Sequence, residues 1–444
     1  MTTPLHGVGR RFKSALPHHL LFTFNNVILG IYSNFKIIQL MIECLRTERI
    51  EVGFDPNLSQ LCHQTKNLYN AANYTIRQFF FKQKTILTYY KLWKIFKTTP
   101  EYKQLPGHTA QQTLRILARN WTSFIRTNRE FTHNPKKYMS KPSIPRFKKK
   151  DGEFQALFTI NQVNIDRDGY LNFPKKVKYK IKTRLSDKTK LQLVRVIPKG
   201  VGYRIEIVYK RNFQTRVPSM KRKAAIDLGV VNIITMIDNI GSRPIVVKDD
   251  GKGLKSNIQF YLKERARLQS IYKSQSIKSG KKLTKLIDTF ERKKLEQLHK
   301  ISIAIVQECE NKNIGVLVIG YNPEWKQRVQ LGRRMNQNFV SIPYFELIEK
   351  IKYKSEEKSI QVELVDERYT SKCSFLDNEM VKKQLQYQGK RVSRGIFCSS
   401  KGYKINADVN AAYNILAKSD PKALPKRSVD GVGGYVAYPS SWKL

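Results

Sequence analysis

Residues 224–237 read AAIDLGVVNIITMI, two apolar stretches turning at Gly229 with one carboxylate, Asp227, at the end of the first. Runs this rich in Ala, Ile and Val belong in buried strands, and the glycine supplies the turn between them. Downstream, Leu262, Leu268, Leu283, Leu286, Phe290, Leu295 and Leu298 recur at helical spacing within 260–307, and Ser279-Gly280 breaks that stretch into a helical hairpin. A buried strand over 314–319, a helix near 343–357, a strand over 361–365 and a closing helix after Asn406 follow. Strands alternating with helices predict a sheet carrying helices.

Upstream the pattern changes twice. Leu58, Leu61, Cys62, Leu68, Tyr69, Ala72, Ile76, Phe79 and Phe80 fit a period near 3.6, as do Leu114, Ile116, Leu117, Trp121, Phe124 and Ile125. A helical lobe over 55–133 is expected, facing nucleic acid with its interspersed Lys and Arg; a plain amphipathic bundle would read the same way. From 134 to 150, Pro135, Pro142 and Pro145 sit among Lys136, Lys137, Lys141, Arg146, Lys148, Lys149 and Lys150, an extended basic crossing suited to a phosphate backbone. Short strands over 154–161, 170–173, 191–197 and 203–209 then suggest a small β-rich module within 134–220. The expected division is an atypical segment 1–54, the helical lobe, the β-rich module, an α/β domain over 221–417 and a basic tail over 418–444.

The chain carries 82 Lys+Arg against 35 Asp+Glu, a formal charge of +47 on 444 residues. A compact protein this basic repels itself without a polyanion, and it draws nucleic acid in by counterion release. Solubility alone asks for far less charge. A peripheral membrane anchor would concentrate charge in one segment, whereas here it runs from Arg10 to Lys443. The apolar stretch 20–45 is interrupted by Asn25, Asn26, Asn34, Lys36 and Gln39, which argues against a spanning helix, and no signal peptide is read at the start. Five scattered cysteines without a CxxC pair read as reduced thiols of a cytoplasmic protein.

Two acids stand out by context. Asp227 ends an apolar strand, and Asp408 lies in the stretch INADVNAAY over 405–413. Carboxylates far apart in sequence but gathered at one sheet edge are what hard divalent ions need, and two such ions can clamp a scissile phosphate. Capping of a helix by Asp408, or a turn role for Asp227, is the plainer reading of each residue alone. A third acid is available in Asp366-Glu367, just after the 361–365 strand.

The stretches NLYNAAN (67–73), IDLG (226–229), GRRMNQNF (332–339), YTSK (369–372) and NADVNAAYNI (406–415) together resemble the TnpB proteins of insertion sequences, relatives of the type V CRISPR effectors. The resemblance covers most of 58–440. It implies an RNA-guided DNA endonuclease: an RNase H-like (RuvC) α/β nuclease domain with a helical-hairpin insertion over about 258–313, an N-terminal helical lobe and a small wedge-like β module. It implies Mg²⁺ (with Mn²⁺ as the substitute ion), a guide RNA derived from the mobile element, a double-stranded DNA target, no membrane, and a nucleoid-associated place in a prokaryotic cytoplasm.

The family's metal-binding Asp, Glu and Asp carry over to Asp227 and Asp408 for the first and last. The middle acid usually follows an apolar strand, where this chain has Gly320; a branch with the acid on the following strand points to Glu367. The expected catalytic and metal ligands are therefore Asp227, Glu367 and Asp408, with Asp366 turned away. The alternative is a nuclease-dead, RNA-guided DNA-binding protein. A zinc ribbon is not expected, because only Cys373 and Cys398 lie where two CxxC pairs would be needed, and 374–404 is read as a reduced loop. Trp325, Lys326, Arg333, Arg334, Gln337 and Asn338, with Lys136, Lys137, Arg146, Lys148 and Lys149, are the expected nucleic-acid contacts. The first 50 or so residues fit the family poorly, since a strand of the wedge normally opens the chain, and the tail is read as a loosely ordered basic flank.

Overall fold

The computed structural model describes residues 39–229, 231–248, 253–277, 280–322, 342–393, 395–424 and 439–442. The elements in chain order are β1 (Gln39–Val52), α1 (Pro56–Gln83), α2 (Tyr89–Phe96), α3 (Pro100–Lys103), α4 (Gly107–His133), β2 (Ala156–Thr159), β3 (Asn164–Ile165), β4 (Tyr170–Asn172), β5 (Lys180–Lys182), β6 (Lys190–Lys199) and β7 (Gly202–Arg216). They continue with β8 (Ser219–Asp227), β9 (Asn232–Asp238), β10 (Ile245–Lys248), α5 (Leu254–Ser274), α6 (Lys281–Asn311), β11 (Ile314–Tyr321), α7 (Tyr344–Glu356) and β12 (Gln361–Asp366). Last come β13 (Lys390–Ser393), β14 (Ile396–Cys398), β15 (Lys404–Asn406), α8 (Ala407–Ser419) and β16 (Ser440–Trp442).

The helical lobe and the β-rich module are not separate bodies. Leu58, Tyr69, Leu114 and Trp121 of the helices share one continuous core with Phe158, Val194, Ile205 and Ile207 of the strands. α1 begins where its stripe requires, with Asp55 Oδ1 accepting from the amides of Asn57 and Leu58 and Pro56 in the first turn. Trp121 is fully buried and donates its indole N–H to Asn73 Oδ1 at 2.9 Å, tying α4 to α1.

Residues 39–52, assigned above to an atypical segment, instead form the edge strand of this module. β1 pairs antiparallel with β7 along its whole length, in a sheet ordered β1-β7-β6-β2. Its alternating charges meet opposite charges across the ladder: Glu51 with Arg204 at 2.5 Å, and Arg49 with Glu206 at 3.2 Å.

The second unit is built on a mixed six-stranded sheet ordered β12-β11-β8-β9-β10-β16. β8, β9 and β10 form an antiparallel meander, while β11 and β12 run parallel to β8. α5, α6 and α7 cover one face through Leu298, Ile301, Ile305, Leu347 and Ile351. The other face is covered by α8 through Val409, Ala412, Tyr413, Ile415 and Leu416. The tail also departs from expectation: residues 440–442 add a parallel edge strand to β10, with Trp442 packed on the core.

Replacing Trp121 with Phe would keep the ring packing but leave the buried Asn73 oxygen without its donor. A loss of about 1–3 kcal/mol in denaturant unfolding is expected, with the α1–α4 lobe losing amide protection first.

Candidate active site

Strand register assembles the site. Ile226 is paired with Ile319, and Gly320 with Val365, so Asp227, Gly320 and Val365 form one row across β8, β11 and β12. Ala225 and Val318, one residue earlier, pack in the core beneath α8, while Ile226 and Ile319 face the opposite core. Alternation therefore turns Asp227 toward α8. The turn beyond it is tight: a Cβ on Gly229 would lie 2.6 Å from the Asn232 carbonyl oxygen, so only glycine fits there. The Tyr344 hydroxyl at the start of α7 donates to the Gly229 carbonyl at 2.8 Å and fixes the same turn.

Asp408 occupies the first turn of α8, and Asn406 caps that helix by accepting from the amides of Asp408 and Val409. The capping role considered for Asp408 thus belongs to Asn406, and the Asp408 carboxylate is available for other work. Asn232, just past the Gly229 turn, donates its amide to Asp408 Oδ2 at 2.7 Å. Arg391 of β13 brings Nη2 to 3.6 Å from Asp408 Oδ1.

Gly320 sits where the resemblance would place the middle acid, and packing explains its identity. A Cβ there would fall inside van der Waals contact with Ile415 Cδ1 and 3.1 Å from its Cγ1. The two-residue period of β12 instead carries Glu367 to the side of Val365, which packs toward α8. Asp366 is engaged locally, accepting from the Arg368 amide at 3.1 Å and pairing with its guanidinium at 3.7 Å.

The electrostatics join the three acids. Burial, then the negative charges of Asp408 and Glu367, push the Asp227 carboxyl well above the usual carboxylate range, and Arg391 opposes them. The same Asp227 and Glu367 charges add to burial in raising the Tyr344 phenol. Among the described residues, no three His, Cys, Asp or Glu side chains are gathered closely enough to hold a metal ion as they stand. The acids sense one another's charge without forming a closed cage. The donor set fits a hard divalent cation: three carboxylates, with Thr235 opposite Asp227 and Asn232 beside Asp408 each holding a buried oxygen that lacks a partner among the described residues.

Other expected contacts divide. Lys136, Lys137, Arg146 and Lys149 are exposed. Lys148 is half-buried instead: its ammonium lies 4.6 Å from the Phe154 ring centre and 4.9 Å from that of Tyr69, and burial lowers its pKa. Trp325, Lys326, Arg333, Arg334, Gln337 and Asn338 lie outside the described residues.

The interval 374–404 is not a bare loop but a three-stranded sheet of β13, β14 and β15 with Phe375 and Phe397 in the core. Carboxylates hold its turns together. Asp377 accepts from the Ser400 amide at 3.0 Å and hydroxyl at 2.7 Å, and Glu379 accepts from the Ser374 amide at 2.7 Å. Asn232, Arg391 and Tyr344 were missed in the sequence because nothing local marks them; only the fold brings them to the acids.

A family model described as a probable transposase matches residues 206–326, and one described as a Cas12f1-like TNB domain matches 344–415. Among curated proteins, the chain is 22% identical to the putative RNA-guided DNA endonuclease InsQ of Escherichia coli (strain K12), over 73% of this chain and 77% of InsQ. It is 24% identical to the TnpB-like protein ORF457 of Acidianus two-tailed virus, over 47% of this chain and 44% of that protein. These matches place the chain's similarity with the TnpB proteins and their Cas12f1-like relatives. The chain is also 27% identical to the CRISPR-associated endodeoxyribonuclease Cas12f1 of Sulfoacidibacillus thermotolerans, over 48% of this chain and 49% of that one. Among solved structures, a Cas12f1–sgRNA–target DNA complex aligns with a TM-score of 0.46 and 15% identity over 82% of each chain.

A carboxyl whose pKa is raised on folding stabilises the protein below its unfolded value, and that contribution disappears as pH rises through the folded value. The metal-free protein therefore loses stability at Asp227 as pH rises from the ordinary carboxylate range towards neutral. Asp227→Asn is expected to raise the stability of metal-free protein at pH 7 by at least about 1 kcal/mol, with the difference shrinking toward pH 4. Thermal melts across pH check this, and an equal or lower melting temperature for the variant would refute it.

Proposed function

We propose that this TnpB-family chain is an RNA-guided, divalent-metal-dependent DNA endonuclease of an insertion sequence, with Asp227, Glu367 and Asp408 as its metal ligands. The single observation that carries the reading is the coupling of Asp227 to both Asp408 and Glu367, since those acids come from three separate elements. The sheet order supports reading the second unit as an RNase H-like (RuvC) nuclease core: a meander of β8, β9 and β10 with β11 and β12 added parallel beside β8. The names of InsQ and Cas12f1 support the guided-nuclease activity.

Bound Mg²⁺ would supply an activated water and charge stabilisation at the scissile phosphate. The chain's own residues prepare that site. Asp227 would hold the cation as a carboxylate, and because its pKa is raised, metal binding is expected to strengthen as pH rises. Asn232 holds one Asp408 oxygen and leaves the other facing Arg391, whose guanidinium offsets the acids until a phosphate arrives. Tyr344 and Gly229 fix the backbone beyond Asp227. The basic surface holds guide and target, and pairing between them supplies sequence choice.

A binding-only protein is the second reading, favoured by the open arrangement of the acids. Plasmid cleavage by protein co-expressed with its flanking element RNA separates the two. Wild type is expected to cut in Mg²⁺, and Asp227→Ala and Glu367→Ala to lose more than about 100-fold in rate. Undiminished cutting by Glu367→Ala would place the third ligand elsewhere. Guide-dependent binding with no cutting in Mg²⁺ or Mn²⁺ would establish the binding-only reading.

A further inference from the structure

The β-rich module meets the nuclease domain along a seam between β1 and the pair α6 and α7. Arg46 of β1 ties the seam: it pairs with Glu357, donates to the Tyr353 carbonyl at 3.2 Å and lies 5.2 Å from the ring centres of both Phe213 and Tyr353. Beside this contact, four basic groups converge from three elements: Arg49 of β1, His299 of α6, and Lys350 and Lys354 of α7. Lys350 Nζ lies 3.5 Å from His299 Nε2, and the Tyr353 hydroxyl lies 3.4 Å from His299 Nδ1. Lys354 donates to the His299 carbonyl at 2.9 Å and to the Ser302 hydroxyl at 2.7 Å.

Nearby acids are already engaged. Glu206 is shared between Arg195 and Arg49, Glu357 is taken by Arg46, and Glu346 pairs with Lys294 at 3.3 Å. Among the described residues, neither Lys350 nor Lys354 has a carboxylate within ion-pair distance. The cluster is thus half-buried, positive and under-neutralised. Burial and the neighbouring cations bring Lys354 down to about 8 and His299 to about 4. The Arg49 side chain is 44% exposed, so the mouth of the seam is open to solvent.

We infer that this seam is a phosphate-binding site, in which Arg49, Lys350 and Lys354 grip a backbone phosphate of bound nucleic acid and so clamp the β-rich module onto the nuclease domain. A phosphodiester supplies what the cluster lacks: several acceptor oxygens on one anionic group, reached by donors from both sides of the joint. Lys354 has three donors and spends two within the protein. Neutral His299 orients Lys350 by accepting from it through Nε2. The site lies on β1 and α7, with His299 of α6 behind it, and its occupancy does not depend on cleavage.

The test uses the full chain and two fluorescein-labelled probes of equal length, a single-stranded RNA and a DNA duplex, titrated over a range of salt. Arg49→Gln with Lys350→Gln is compared with Lys300→Gln with Lys352→Gln, lysines of α6 and α7 already paired with Glu296 and Glu349. The seam pair is expected to weaken binding of at least one probe by about tenfold and to flatten its salt slope, for each phosphate no longer neutralised, by about 0.7 for the RNA strand or about 0.9 for the duplex. The control pair should stay within about twofold. Whichever probe weakens identifies the source of the phosphate. Lys350→Arg, which keeps the charge, should bind as wild type does. Equal binding by seam and control pairs, or a loss in Lys350→Arg as large as in the double variant, overturns the site. The inference rests on the chain being a nucleic-acid binder: failure of wild type to bind either probe removes that reading, whereas survival of binding in the seam pair removes only the seam.

Discussion

The seating of Ile415 over Gly320 is the constraint on which the arrangement of the site depends. Ile415 and Asp408 are seven residues apart, two turns on one face of α8, so they are separated by about 10 Å along the helix. With Ile415 pressed against the sheet where β11 lacks a side chain, the first turn of the helix is brought over the end of β8, and Asp408 comes within range of Asp227. An acid at Gly320 would compete with Ile415 for the same space. A carboxylate one strand further out, at the end of β12, reaches the same side without disturbing that packing. The glycine that breaks the expected pattern is thereby part of what assembles the remaining acids.

Charge distribution follows a related logic. In a strongly basic chain, several carboxylates in structured positions hold particular contacts. Glu51, Glu206 and Glu357 neutralise the arginines that hold β1 to its sheet and to α7. Asp377 and Glu379 close the turns of the small sheet that carries Arg391. What remains is positive and is concentrated at a joint between units, where the proposed phosphate site would make nucleic acid part of the assembly as well as a ligand.

Much of the α/β unit was legible because its strands are apolar runs and its helices keep a clear period. Asp227 was visible as a charge ending a buried strand, and Asp408 by its setting. Other features were hidden for physical reasons. β1 reads as a mixed polar stretch, since its charges make sense only opposite β7, more than a hundred residues later. The three residues of β16 are too short to show a period. Asp377 and Glu379 look like surface acids until their turns are folded, and Arg391 and Asn232 acquire meaning only beside Asp408. The packing of Lys148 was hidden because a lysine in a basic run looks solvated, whereas this one lies against two rings.

The central claim is that Glu367 completes the metal site with Asp227 and Asp408. Anomalous diffraction from crystals soaked in Mn²⁺ tests it most directly. The account predicts manganese density bounded by all three carboxylates, with the Glu367 side chain among the ligands. Manganese held by Asp227 and Asp408 with Glu367 directed away, or no manganese at this sheet edge, would contradict it.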